Sequence, residues 1–225
     1  DFGREKGVFP LVLIQVKSET KRTVFGLKNK RKKAFLSFKT QLFHIQVVRY
    51  AVPEVIEVIK AYEKSGHCKI PVIAAGGLYT GEDIYRLMQL GATGVQLGSK
   101  FVTTEECDAS PVFKQAYIDA GQSDIEIITS PVGMPGRAIS GEFTRKVKSG
   151  SEKPRRCAFH CIKTCDYTKS PYCIIKALYN AAKGNMQKGY AFAGANAFLS
   201  QKIVSVRETI ETLKKEFRRA EEATK

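Results

Sequence analysis

Residues 70–101 read I-P-V-I-A-A-G-G-L-Y-T-G-E-D-I-Y-R-L-M-Q-L-G-A-T-G-V-Q-L-G-S-K-F, and this stretch decides the fold class. Pro71 to Ala75 is a short apolar run without helical period, as expected of a strand buried on both faces of a parallel sheet. Gly76 and Gly77 end it. Lacking Cβ atoms, they can take positive φ and let a ligand oxygen come close to main-chain N–H groups. Thr80 and Asp83 have capping-box spacing, and Ile84, Leu87, Met88 and Gly91 mark an amphipathic helix with its stop residue. Gly94 to Leu97 is the next strand. Gly98 and Ser99 close it, offering further amides and one hydroxyl to the same anion. Either glycine turn alone is most often just a turn. Spaced as strand, helix, strand, the pair matches the way the last strands of a (β/α)8 barrel hold a mononucleotide or phosphorylated substrate.

Downstream, Ser130 to Ala138 carries Pro131, Gly133, Pro135 and Gly136, a composition that predicts a loop rather than a helix or strand. Arg137 within it is either an anion-binding fork or a surface arginine in a turn. Ile174 to Lys183 predicts an apolar helix stopped by Gly184. Ile203, Val206, Ile210, Leu213 and Phe217 form one stripe of a long last helix, with Ser205 and Glu208 placed to cap it. The charged tail after Phe217 is expected to fray. No apolar run approaches the ~20 residues of a spanning helix, so no membrane partner is expected and a soluble, cytoplasmic protein is.

The first fifty residues differ in character. They hold twelve Lys and Arg against three Asp and Glu, most of the chain's net +15. Lys28, Lys30, Arg31, Lys32 and Lys33 form a basic run between two apolar stretches, Leu11 to Val16 and Phe43 to Val48, each suited to a strand. Such a run favours phosphate backbones in general, yet no nucleic-acid-binding motif accompanies it. Nucleic acid is therefore not an expected partner.

Six cysteines include Cys157, Cys161, Cys165 and Cys173. Were the segment helical, the first three would share a face and could meet one metal or cluster. Their spacing is not that of paired C-x2-C zinc knuckles. Packed reduced thiols are the other reading, and no metal ligand is assigned. Cys68 and Cys107 stand alone and read as structural. The three histidines, His44, His67 and His160, read as hydrogen-bonded or solvent-facing residues.

A-A-G-G-L-Y-T-G-E-D-I-Y (74–85) and G-A-T-G-V-Q-L-G-S-K-F-V-T-T-E-E-C (91–107) resemble the flavin-dependent nitronate monooxygenases. The likeness continues through S-P-V-G-M-P-G-R-A (130–138), the cysteine segment 157–173 and F-A-G-A-N (192–196), covering about residues 52–215. Flavin-type enoyl-acyl-carrier-protein reductases are similar over the first part. The resemblance implies FMN as cofactor, held by Ala75, Gly76 and Gly77 and by Gln96, Leu97, Gly98 and Ser99. It implies oxidation of an alkyl nitronate by FMN and dioxygen to a carbonyl compound and nitrite. The family's Gly-Gly-His motif has no counterpart here, so no catalytic residue is assigned. A whole barrel takes about 250 residues, whereas this phosphate unit lies near the start. The expected architecture is therefore α/β: a basic, divergent segment 1–51, of replaced or misjoined origin or genuinely diverged, then the last βα units of a TIM-type barrel over 52–130. A loop, the cysteine segment and a mostly helical C-terminal region follow over 131–225. Open sheet edges on such a piece predict self-association, as a homo-oligomer, or instability, unless residues 1–50 cover them. A flavin-dependent enoyl reductase relative and a noncatalytic remnant with a basic binding surface are the alternative readings.

Overall fold

The computed structural model describes residues 12–15, 44–66, 69–132, 135–163 and 165–225. They form two compact units, one holding the described residues up to Gly76 together with Leu87–Val95, the other Gly77–Arg86 with Gln96–Lys225. The mixed α/β character expected from the glycine-rich stretch is what the structure has.

Strands β1 (Val12–Gln15) and β2 (Val72–Ala75) of the first unit and β3 (Gly94–Gln96), whose Gly94 and Val95 belong to it, lie in that order in one sheet, with β1 parallel to β2 and Val12 opposite Val72. Val72, Ala74 and Ala75 are buried, as the apolar run predicts. Thr93 ties the β3 end to β2 twice: its N–H donates to the Val72 carbonyl at 2.8 Å, and its Oγ1 accepts from the Val72 N–H at 3.2 Å. Helix α1 (His44–Lys64) buries Val52, Ile56 and Ile59, a helical spacing. Here the structure corrects the sequence reading, since the run taken for a strand over 43–48 belongs from His44 onward to this helix. Its 3.6-residue period becomes readable only from Val52. Gly91, at φ +99°, makes the turn after the next helix, and a Cβ there would stand 2.7 Å from Ile56 Cδ1.

Helix α2 (Gly81–Gln89) starts where its capping box predicts. The second unit continues with the short α3 (Ser99–Val102) and α4 (Pro111–Asp119), the latter capped by Ser110 Oγ accepting from Phe113 N–H at 3.2 Å. Strands β4 (Ile125–Ile128) and β5 (Gly136–Ile139) then pair antiparallel. This pair corrects the loop expected over 130–138. Pro135 precedes the ladder instead of interrupting it, and bare Gly136 makes room for the Phe192 ring, 2.4 Å from where a Cβ would sit. Arg137 is thus a strand residue opposite Ile127.

β5 separates two apolar clusters. Ala138 joins Ile128, Phe143, Tyr172, Ala177 and Tyr190, while Ile139 joins Tyr117, Ala120, Ala191, Ala193 and Ala197. Helix α5 (Glu142–Lys148) supplies Phe143, which stacks on Tyr190 with ring centroids 5.9 Å apart. Helix α6 (Ile174–Ala182) is the predicted apolar helix, stopped by Gly184 at φ +87°. Helix α7 (Val206–Glu222) is capped by Ser205 Oγ, which accepts from Glu208 N–H at 3.1 Å. It runs past Phe217 to Glu222, so the tail expected to fray there is helical. Cys157 to Cys173 contains neither helix nor strand among its described residues, so the one-faced array of thiols that a helix would give does not form.

Candidate anion-binding site

The first glycine loop is held from its far side. Asp83 Oδ2 accepts from the N–H groups of Tyr79 and Thr80, each at 3.1 Å, and Thr80 Oγ1 accepts from Asp83 N–H at 3.1 Å. This reciprocal capping box fixes the residues that follow Gly77. Gly81 N–H donates to Glu216 Oε2 at 2.7 Å, and a Cβ at Gly81 would fall 2.1 Å from the Leu213 carbonyl oxygen, so only glycine lets α2 begin this close to α7. Gly76 and Gly77 have φ of +109° and +72°, the left-handed backbone anticipated for them.

The second loop uses its glycine differently. Gly98 has φ −116°, open to any residue, and its carbonyl accepts from Phe101 N–H at 3.0 Å. What its missing side chain provides is room: a Cβ would meet nothing within 4 Å. Beside it, Ser99 Oγ accepts from the Gly194 N–H at 2.7 Å. A hydroxyl that accepts keeps its own proton, so Ser99 can still donate to an anion.

Both loops are tied to one short segment, which the sequence reading quoted as F-A-G-A-N without giving it a role. Asn196 Nδ2 donates to the Gly77 carbonyl at 2.7 Å, two residues after Gly194 reaches Ser99. The segment is itself laid along β5. Ile139 N–H donates to Ala191 O and Ala193 N–H to Arg137 O, both at 3.0 Å, and Ala138 bridges Phe192 in antiparallel fashion. Tyr117 hydroxyl donates to the Phe192 carbonyl. Buried Ala191, Ala193 and Ala197 are small enough to let this irregular backbone lie against the strand. Alternating alanines around a glycine are the signal that finds such a segment; a role in joining the loops is invisible until they are seen to meet it.

Of the residues the resemblance marks, Gly77, Gln96, Leu97, Gly98 and Ser99 lie in the second unit, and Gly77 and Ser99 are brought onto the same segment. Ala75 and Gly76 lie in the first unit, Ala75 buried at the end of β2. Gln96 and Gly98 are exposed. Next to Ser99, the Lys100 ammonium sits 4.1 Å from the centroid of the Tyr79 ring. Burial lowers the Lys100 pKa, with Glu216 opposing, and burial raises that of Tyr79, whose hydroxyl is hydrogen-bonded to Ser200 Oγ at 2.8 Å. Arg137 is half-buried, and loss of hydration lowers its pKa.

The histidines stand apart from this arrangement. His44 opens α1, and His160 is exposed at φ +44°. His67, together with Cys68, lies outside the described residues.

The sequence profile described as nitronate monooxygenase matches residues 46–216, both glycine loops and the tethering segment included. The chain belongs to the nitronate monooxygenase family. The Staphylococcus saprophyticus protein named "Probable nitronate monooxygenase" is 33% identical over 114 residues, 51% of this chain and 30% of that protein. FabK from Thermotoga maritima superposes with a TM-score of 0.60 at 25% identity, covering 80% of this chain and 50% of FabK. Nitroalkane oxidase from Streptomyces ansochromogenes shares the fold at a TM-score of 0.56 and 22% identity, over 79% of this chain and 45% of its own. The chain thus covers about half the length of these two solved structures.

Proposed function

We propose that this chain is the phosphate-binding portion of an FMN-dependent oxidoreductase of the nitronate monooxygenase type, built as the C-terminal part of a TIM-type barrel. The observation that carries the reading is the joint tether: Gly194 and Asn196, two residues apart, hold the Ser99 and Gly77 loops. A phosphate needs several donors converging from two turns, with no side chain in the way. Ser99 retains a hydroxyl proton to give, Gly98 leaves open space, and Gly76 and Gly77 turn the backbone as only glycine does at no cost. Gly77, Gly98 and Ser99, with Gln96 and Leu97, would hold the FMN phosphate. When bound, the flavin supplies the redox chemistry between an alkyl nitronate and dioxygen, yielding a carbonyl compound and nitrite.

The test has two stages. Titration of the purified chain with FMN, followed by flavin fluorescence, is expected to saturate at one FMN per chain and to change little with salt, because backbone donors carry the site. Nitrite release from propionate-3-nitronate then assays the chemistry. A chain that never quenches flavin fluorescence overturns the reading at its first stage.

The likeness to FabK favours one second reading, an enoyl-thioester reductase on the same flavin site. Reduction of an enoyl thioester without nitrite release from nitronates would select it. Among the described residues no helix is long and apolar enough to cross a membrane. Partners are proposed to be the nitronate, dioxygen and a second copy of the chain, with gel filtration as the check on the last.

A further inference from the structure

Lys100 follows Ser99 in the second glycine loop, and Tyr79 lies two residues after Gly77 in the first. Their side chains meet. The ammonium stands 4.1 Å from the ring centroid, well inside the ~6 Å at which the negative face of an aromatic ring attracts a cation. The ring is a fixed one: Tyr79 is buried, its N–H donates to Asp83 Oδ2 at 3.1 Å, and its hydroxyl is hydrogen-bonded to Ser200 Oγ at 2.8 Å. A lysine stem is flexible and ordinarily carries its charge out into water. Here it lies half-buried against the ring instead, and the hydration it gives up lowers the Lys100 pKa, with Glu216 opposing.

We infer that Lys100 is a positioning residue, whose contact with the Tyr79 ring locks the Ser99 loop onto the Gly77 loop. This rests on reading the two loops as the FMN phosphate site, and it gives that site a second link. The first link is indirect, through Gly194 on Ser99 and Asn196 on the Gly77 carbonyl. The Lys100 contact joins the loops without an intermediary. An anion shared by donors from two turns binds more tightly when their separation is set beforehand, because the loops then need no ordering on binding. The partner also suits an anion. A carboxylate gripping Lys100 would set negative charge beside the phosphate, whereas a ring face grips the cation and leaves its charge in place. Glu216, the carboxylate that acts on Lys100, is itself engaged, its Oε2 accepting from Gly81 N–H at 2.7 Å.

Hydrogen exchange of the purified full chain without flavin tests the clasp, and titration with FMN tests what it positions. Lys100→Met keeps the length of the side chain and removes its charge. It is expected to speed exchange of the Tyr79, Thr80 and Phe101 amides, each hydrogen-bonded in the native loops, by about threefold or more, and to leave the amides of β4 and β5 unchanged. FMN affinity should fall about fivefold, the size of a partly buried cation–π contact. Lys100→Arg, whose guanidinium also stacks on aromatic faces, should restore both. Native exchange at Tyr79 and Thr80 in Lys100→Met overturns the proposal, as does an acceleration that extends to β4 and β5 or that arginine fails to reverse. So does native FMN affinity in Lys100→Met. A native chain that binds no FMN fails the flavin reading alone, and the exchange comparison still decides the clasp.

Discussion

Two stretches of the second unit lack regular structure, and they are held in opposite ways. Residues 190–197 lie along β5 through backbone hydrogen bonds, bury Ala191, Ala193 and Ala197, and spend their remaining donors on the two glycine loops. The cysteine segment is bonded chiefly to itself, as in Cys165 N–H to Ile162 O and Ser170 N–H to Asp166 O, and leaves Phe159, Ile162 and Tyr167 exposed. Irregular backbone is fixed when small side chains let it approach a strand that accepts its hydrogen bonds. Where that is missing, the segment is held at its end, by buried Tyr172, which packs on Phe143 and Tyr190 and donates to Thr129 O.

The sharpest way to break the first arrangement is at its entry. Gly189 is extended, but a Cβ there would lie 2.1 Å from Ala177 O and 2.7 Å from Ala181 N, inside helix α6. Gly189→Ala is expected to cost ~3 kcal/mol or more, because helix backbone cannot yield as a side-chain tip can. A denaturant midpoint within error of the native chain would show that residues 190–197 are not anchored there. Gly98→Val is the next test and separates folding from binding. Its side chain projects into open space, so the melting temperature should hold while FMN affinity falls at least tenfold, about 1.4 kcal/mol. Unchanged affinity would mean that the open face of Gly98 is not where the phosphate lies.

The parts legible in sequence were those set by local rules. The strand at Val72, the capping box of α2, the glycine stop of α6 and the Ser205 cap of α7 all depend on residues within a few positions of one another. Hidden parts depend on distant partners. His44 to Val48 has the residue types of a strand but is the start of a helix whose buried face lies further along, and Gly136 to Ile139 is a strand because β4 and Phe192 are there to meet it. The site divides the same way. Gly77 and Gly98 were readable as turns, whereas Gly194 and Asn196 gain meaning only through bonds spanning about half the chain.

That distant tether can be removed singly. Asn196→Ala deletes the amide on the Gly77 carbonyl and should cost about 1 kcal/mol, roughly 2–4 °C in melting temperature for a chain of this size. Because the loop loses its hold and the fold does not, FMN affinity should fall too. Asn196→Asp is the stricter control, since a carboxylate cannot donate to a carbonyl. If it matched the native chain in both measurements, the tether would be irrelevant to the loop.

The mildest probe is pH, and it bears on both stretches because tyrosine hydroxyls anchor each. Tyr117 donates to Phe192 O in the ordered segment, and Tyr172 at the end of the cysteine segment donates to Thr129 O at 3.1 Å and sits 3.1 Å from the Tyr190 hydroxyl. Burial is the main cause raising all three pKa values, and the bond with Tyr172 raises that of Tyr190 further. Groups raised on folding bind protons more tightly when native, so the stability they contribute is complete below the unfolded tyrosine pKa of about 10 and declines as pH rises above it. Urea midpoints should therefore be flat in the contribution of these groups from pH 8 to about 9.5 and fall beyond it. Tyr190→Phe, which removes one raised group and retains the ring stacked on Phe143, should shallow that fall. An alkaline slope identical in Tyr190→Phe would place the titrating groups elsewhere and leave both stretches anchored by packing alone.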